Sequence, residues 1–378
     1  MRRTILAVLS VIILLSNFNA KAAEVETSAV SAVLMEASTG RVLYEKNAHE
    51  LRLIASITKL MTALVAVESH PDLSEVVTVK REWLAGAEGS SIYLQVGDKL
   101  TLEELLYGML LESGNDAAQV VACYCAGDQE TFVEWMNQRA RGMGMKNSLF
   151  ANPSGLNAEE HYSTAYDMAL CAIACMENET IAEIVGTKSI SFGTRTFTNH
   201  NKLLYLYEGC VGMKTGYTQL AGRTLVSCAE RDGQRLIAVT LSAPQDWEDH
   251  MTMYEYGFST YYKTELCIED QLVRTIPVSG SLVRFVGVAP ISTLTYPLMD
   301  DEIVRSEVVL PDIARAPVKA GNIAGRIDFF LNDEKIQSAY LVYAHSADYN
   351  LFAQKSLKER FLEFLRGEAT VFYSRDMI

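Results

Sequence analysis

Apolar residues between positions 55 and 67 fall at Ile57, Leu60, Met61, Leu64 and Val65. That is the i, i+3, i+4, i+7, i+8 spacing of a helix with one buried face. Ser56 opens the pattern, where serine is a favoured N-cap. Lys59 follows three residues later and returns to the side of the Ser56 hydroxyl. Residues 30–35 and 41–44 flank Glu36-Ala37-Ser38-Thr39-Gly40 and predict a β-hairpin with the glycine in its turn. Gly89-Ser90-Ser91 and Gly97-Asp98 predict turns around a short strand at 92–94. Leu102, Leu105, Leu106, Met109 and Leu110 predict a second helix that halts at Glu112-Ser113-Gly114-Asn115. Asp116 restarts a helix through Val120, Val121 and Cys125, so a polar Ser-x-Asn elbow is mounted between two apolar helices.

Farther on, a helix and its exit are expected within 128–150, a loop at 152–157, and a helix over 163–176 with Ser163 as its cap. A hairpin spans 190–192 and 195–198 over Gly193-Thr194. Residues 221–243 alternate in polarity, turn at Asp232-Gly233 and resume, which predicts an antiparallel pair. A helix over about 246–262 carries Trp247, Met251, Tyr254 and Phe258 on one side. After Cys267, short runs rich in Val, Ile, Leu and Phe recur between turn residues, the pattern of a small all-β sandwich. Helical period returns over 351–366, where a broad apolar face opposes Lys355, Arg360, Arg366, Glu359 and Glu363. This helix either packs on the β module or lies in a membrane interface.

At the N-terminus, Arg2 and Arg3 precede an apolar run over 5–15, and Ala20-Lys21-Ala22 offers a small-x-small cleavage site. A secretory leader over 1–22 is expected, the run being short for a membrane span; an uncleaved anchor is the alternative. Its removal takes Arg2, Arg3 and Lys21 but no acid from a net charge of −14, leaving −17. So acidic a chain is a poor general binder of nucleic acid. The seven cysteines are odd in number and none has zinc-finger spacing, so neither a metal nor a required disulfide is expected. The domain boundaries expected are a leader at 1–22, a catalytic region at 23–262, a β-rich module at 263–348, and a helix and tail at 349–378.

Ser56-Ile57-Thr58-Lys59, Ser113-Gly114-Asn115 and Lys214-Thr215-Gly216 occur in that order, each at the edge of a predicted element. Taken alone, Ser-x-x-Lys reads better as a capped core helix with a surface lysine. The three triplets together are the signature of penicillin-binding proteins and class A β-lactamases. With Gly89-Ser90-Ser91, Tyr162-Ser163-Thr164-Ala165, Ala221-Gly222 and Ala316-Pro317-Val318-Lys319-Ala320-Gly321, the chain resembles the serine D-Ala-D-Ala carboxypeptidases among the low-molecular-mass penicillin-binding proteins.

That resemblance implies a mixed α/β (α+β) catalytic domain of the penicillin-binding-protein and serine β-lactamase type. An antiparallel sheet is flanked by helices with a helical lobe across the cleft, and a small β sandwich follows. It implies Ser56 as the acylated nucleophile, Lys59 as its base and Ser113 as proton relay to the departing amine. Asn115 would hold the substrate amide and Lys59. Lys214 and Thr215 would bind the terminal carboxylate, Gly216 would let the substrate backbone approach, and the N–H groups of Ser56 and Tyr217 would receive the oxyanion. No cofactor is implied. The partners implied are peptidoglycan stem peptides, β-lactams and, through the C-terminal helix, the outer face of the cytoplasmic membrane. Two positions depart from the family: His200 stands where arginine is frequent, and Tyr217 where some members carry histidine. His200 either replaces that arginine at the carboxylate or is a hydrogen-bonded loop residue. Glu159, Glu160 and His161 are expected in a solvated loop, and Asp167 in a helix's first turn. The rival functions are a β-lactamase and a penicillin-binding wall protein without turnover.

Overall fold

A computed structural model describes residues 25–350, together with Leu362, Leu365 and Arg366. The expected leader, and nearly all of the expected C-terminal helix, lie outside the described residues. The chain divides into two compact units, with the boundary between Thr260 and Tyr261.

In the first unit, β1 (Ser31–Glu36) and β2 (Val42–Lys46) form the expected hairpin. A short 3-10 turn, Ala55–Thr58, leads into α1 (Lys59–Ser69). Every residue of α1 from Lys59 to Val67 is buried. The apolar stripe foretold one buried face; the helix instead runs through the middle of the core, with small Ala63 and Ala66 on its other sides. β3 (Val76–Thr78) and β4 (Lys99–Thr101) pair with each other. α2 (Leu102–Leu111) starts at a reciprocal cap in which Thr101 and Glu104 each satisfy the other's backbone N–H. α3 (Asn115–Ala126), α4 (Gln129–Gly142), α5 (Ala165–Glu177) and α6 (Glu179–Gly186) follow. The cap of α5 is Thr164, not Ser163: its hydroxyl accepts the Asp167 N–H, while Ser163 bonds Ser148.

β5 (Ser189–Phe192) and β6 (Arg195–Thr198) are the second expected hairpin, and a single turn, α7 (Leu203–Leu206), precedes β7 (Cys210–Thr218). β8 (Gly222–Arg231) and β9 (Gln234–Leu241) join through Asp232 and Gly233, both at positive φ, as a tight two-residue hairpin requires. The main sheet runs β2-β1-β9-β8-β7, so β7 is an edge strand. Side chains alternate across it. Val33 and Met35 join the helical core, whereas Leu34 meets α8 (Asp246–Thr260) beside Gly257.

The buried face of α8 is Asp246, Asp249, His250, Met253, Tyr254 and Gly257; of the expected Trp247, Met251, Tyr254 and Phe258 it keeps Tyr254, and the face is rotated from the other three. Polar pairing sets that rotation: Ser227 Oγ lies 2.6 Å from His250 Nδ1 and 2.6 Å from Tyr254 Oη, and Thr240 Oγ1 lies 2.9 Å from His250 Nε2. Burial pushes the His250 imidazole down to about 3, so it packs neutral.

The second unit holds β10 (Tyr262–Cys267), β11 (Arg274–Ser279), β12 (Phe285–Pro290), β13 (Leu294–Leu298), β14 (Val304–Val309), β15 (Ala314–Arg315), β16 (Ile323–Leu331) and β17 (Glu334–Tyr343). Six strands form one sheet, ordered β14-β16-β17-β12-β11-β15, and β10 pairs with β13. Tyr296 and Leu298 of β13 pack against Leu331 of β16, which closes the small two-layer core.

Candidate active site

Ser56 lies inside the 3-10 turn, and its hydroxyl caps nothing. It faces the Lys59 amine instead, with Oγ and Nζ 2.9 Å apart. Two further oxygens reach the same nitrogen at 2.6 Å each: Asn115 Oδ1 and the Ser154 carbonyl. Both can only accept hydrogen bonds. A neutral amine has two protons and one lone pair, so it donates to these two oxygens and presents its lone pair to Ser56. Burial pushes the Lys59 amine well below its ordinary range, the Lys214 cation pushes it further, and Asp116 opposes both. The geometry thus lets a neutral amine take the Ser56 proton, and burial and the Lys214 charge push the amine toward that state.

Asn115 opens α3 two residues after Ser113, which sits at φ +63° between two helices. The Asn115 side-chain amide donates to the Glu88 carbonyl, and its backbone N–H donates to Ser90 O at 2.8 Å. Next to it, buried Asp116 accepts the backbone N–H groups of Ile92 at 3.0 Å and Leu94 at 2.9 Å and the Ser91 hydroxyl at 2.6 Å. This explains why 92–94 is not the strand expected. The Ile92 and Leu94 N–H groups are satisfied by a carboxylate and that of Tyr93 by the Ser91 hydroxyl, not by a neighbouring strand, and Tyr93 lies at φ +59°.

The Ser154 carbonyl is delivered by the loop at 152–155, wound around Asn152. Asn152 Oδ1 accepts N–H from Gly155 at 2.7 Å and from Ser154 at 3.2 Å. Below it lies His161, which is buried rather than solvated as expected. Its Nδ1 accepts the Ala151 N–H at 3.1 Å, so its Nε2–H faces Thr58 Oγ1 at 2.8 Å. Burial, then Lys59, pushes this imidazole down to about 4. Glu159 and Glu160 are exposed in the loop, and Asp167 accepts the Asn147 N–H and the Ser148 hydroxyl.

β7 passes beside Ser56. A Cβ on Gly216 would stand 2.9 Å from the Ser56 nitrogen and 2.4 Å from Thr224 Oγ1, so only glycine lets the strand approach this closely. Ser56, Ser113, His200, Thr215, Gly216 and Tyr217 line one cavity of about 340 Å³, with Ser90, Lys202, Arg223, Asp246 and Trp247 at its other walls. Lys59, Asn115 and Lys214 lie behind this wall, buried. His200 Nε2 is 3.3 Å from a Glu112 carboxylate oxygen. The Tyr217 side chain is exposed.

The Lys214 amine donates to the Thr215 carbonyl at 3.0 Å, and burial pushes it from 10.5 down to about 7, with Glu112 opposing. Between those values the unfolded chain holds more protons than the folded one, so Lys214 makes stability rise with pH from about 7 to 10.5. Below that window both states carry the proton and the penalty for burying the cation is complete. Lys214→Met is thus expected to be more stable than the parent at pH 6, by a margin that shrinks toward pH 10. Urea midpoints across that range check this, and a constant margin would contradict it.

The residues that sequence reasoning did not single out are Ser154, Gly155, Asp116 and Arg223. The first two belonged to a recognised loop, Asp116 to a helix's first turn, and Arg223 to the start of a strand. None carried a spacing signal that tied it to Ser56.

Among known proteins, residues 17–245 match the family described as D-alanyl-D-alanine carboxypeptidase. The chain is similar to D-alanyl-D-alanine carboxypeptidase DacF of Bacillus subtilis, with 36% identity over 322 residues, 81% of this chain and 82% of the relative. It is also similar to DacC of Escherichia coli K12, with 33% identity over 347 residues, 86% of each chain. Among solved structures, penicillin binding protein 5 from Haemophilus influenzae superposes with a TM-score of 0.73 at 25% identity, over 85% of this chain and 98% of its own.

Proposed function

The chain belongs to the D-alanyl-D-alanine carboxypeptidase family of serine peptidases, and from that premise we propose that the Ser56 cavity trims the terminal D-Ala from peptidoglycan stem pentapeptides. The observation that carries this reading is the Lys59 amine, held by two obligate acceptors with its nitrogen 2.9 Å from Ser56 Oγ.

Lys59 takes the Ser56 proton as Oγ bonds to the carbonyl carbon of the penultimate D-Ala. The N–H groups of Ser56 and Tyr217 receive the developing oxyanion, an arrangement worth several kcal/mol in such enzymes. The C–N bond then breaks as the proton on Lys59 passes through Ser113 to the amine, and D-alanine departs. Water next attacks the Ser56 ester, giving its proton to Lys59, and the shortened peptide leaves with the proton restored to Oγ. Asn115 orients the substrate amide and Lys59. Lys214 and Thr215 meet the terminal carboxylate, and His200, turned toward Glu112, stands at that end of the cavity. A β-lactam enters the same path and leaves its ring-opened acyl group on Ser56.

Incubation with a diacyl-L-Lys-D-Ala-D-Ala peptide is the test: one D-alanine released per peptide is expected, and no release would contradict the reading. We further propose that the protein is exported and works in wall remodelling at the outer face of the cytoplasmic membrane, with residues 349–378 supplying membrane contact. Among the described residues no helix is long and apolar enough to cross a membrane. Deleting 349–378 is expected to shift the protein from membranes to the soluble fraction; unchanged partition would remove the idea.

A further inference from the structure

The cavity holds an arginine that the mechanism above does not use. Arg223 opens β8, and the sheet register places it opposite Tyr217 of the edge strand. Side chains alternate, so Arg223, Tyr217 and Thr215 share one face of the sheet, with Arg223 diagonal to Thr215. Lys214 points to the opposite face, where it is buried and hydrogen-bonded to the Thr215 carbonyl.

Arg223 is held as a built fixture rather than a surface side chain. Its Nε and Nη2 both donate to Asp246 Oδ1, at 3.0 and 2.7 Å. The Asp246 side chain is only 3% exposed, and the same oxygen accepts the Trp247 N–H at 3.1 Å. The guanidinium also lies 5.4 Å from the Trp247 ring centre. With Nε and Nη2 spent on the carboxylate, the Nη1 edge of the fork is left for a ligand. Arginine on a fixed mount suits the planar, two-oxygen geometry of a carboxylate.

We propose that Arg223, oriented by Asp246 and Trp247, is a second cation that receives the carboxylate of the departing D-amino acid beside the Thr215 hydroxyl. Lys214 acts from the strand face that meets Ser56, and Arg223 supplies the two-oxygen contact from the other face. Asp246 and Trp247 are positioning residues. The inference rests on the carboxypeptidase reading and deepens it, because it assigns selectivity for a free C-terminal acid to a residue outside the three triplets.

The test uses two N-acyl-D-alanyl thioesters of thioglycolate, one with the free carboxylic acid and one with its methyl ester. They differ by one charge at the leaving group, and both are activated enough for turnover. The readout is the ratio of kcat/KM for acid over ester. In Arg223→Gln this ratio should fall about 10- to 100-fold, the usual loss when a charged hydrogen bond is removed. Arg223→Lys should recover part of it. Because Arg223→Gln strands the buried Asp246 carboxylate and so puts folding at risk, Arg223→Gln/Asp246→Asn removes both ends of the pair and should show the same lowered ratio. An unchanged ratio in an active enzyme overturns this inference alone. Failure of the unaltered protein to turn over either thioester overturns the carboxypeptidase reading, and this inference with it.

Discussion

Lys59→Met is expected to lower D-alanine release by roughly 10³- to 10⁶-fold, to the level left by Ser56→Ala. Methionine is unbranched, apolar and close to lysine in length, so it fits the buried channel along α1. It removes a buried amine while leaving Asn115 Oδ1 and the Ser154 carbonyl without their donor. These opposed changes should keep the thermal midpoint near that of the parent, which separates lost chemistry from lost fold. Because Ser56 and Lys59 act as one unit, the double variant should be no slower than either single one. Substantial activity in Lys59→Met would mean that another group takes the proton. The pH profile carries the same claim. Acylation needs the neutral amine, so its rate should rise as pH passes upward through the depressed pKa of Lys59. Removing the Lys214 cation, which helps to depress it, should move that rise to higher pH.

Gly155→Ala is expected to lower stability by about 2–4 kcal/mol, a fall in Tm of roughly 4–16 °C, and to reduce kcat/KM as well. Gly155 lies at φ +88°, and a Cβ there would stand 2.0 Å from the Ala55 carbonyl oxygen. That oxygen belongs to the residue before the nucleophile, so any relaxation of the clash displaces Ser56. It also moves the Ser154 carbonyl away from Lys59, since the two residues share a peptide unit. Gly193→Ala is the control: it has a similar positive φ of +58° but no atom within 4 Å of the added carbon. Backbone strain alone predicts equal effects at the two sites. The steric argument predicts a much larger one at Gly155, and equal losses would contradict it.

The contrast between these two glycines shows what the sequence could reveal. Local patterns disclosed the hairpins over Gly40, Gly193 and Asp232-Gly233, and the helices next to Ser56 and to the Ser113–Asn115 elbow, because each is decided within about a dozen residues. The residues singled out around the three triplets fall at or directly behind one cavity wall. Contacts closed over long stretches of chain were not legible. Ser154 reaches Lys59 across 95 residues, and Thr58 meets His161 across 103. A Pro-Ser-Gly turn says that the backbone bends there, not whose amine its carbonyl will hold. The misread strand at 92–94 has the same origin. Its alternation is real, but the partner of the Ile92 and Leu94 N–H groups is the Asp116 carboxylate, which no periodicity foretells. The shifted face of α8 likewise follows from Ser227 and Thr240 on the sheet, whose hydroxyls draw His250 inward.

The central claim is that Ser56 is the atom acylated, with its proton drawn by Lys59, and peptide mapping by mass spectrometry after reaction with benzylpenicillin tests it most directly. The mass of one intact penicillin should appear on the tryptic peptide that carries Ser56, persist for minutes or longer as a slow-deacylating carboxypeptidase requires, and vanish in Ser56→Ala. An adduct on Ser113 or any other side chain, or equal labelling of Ser56→Ala, would contradict the account.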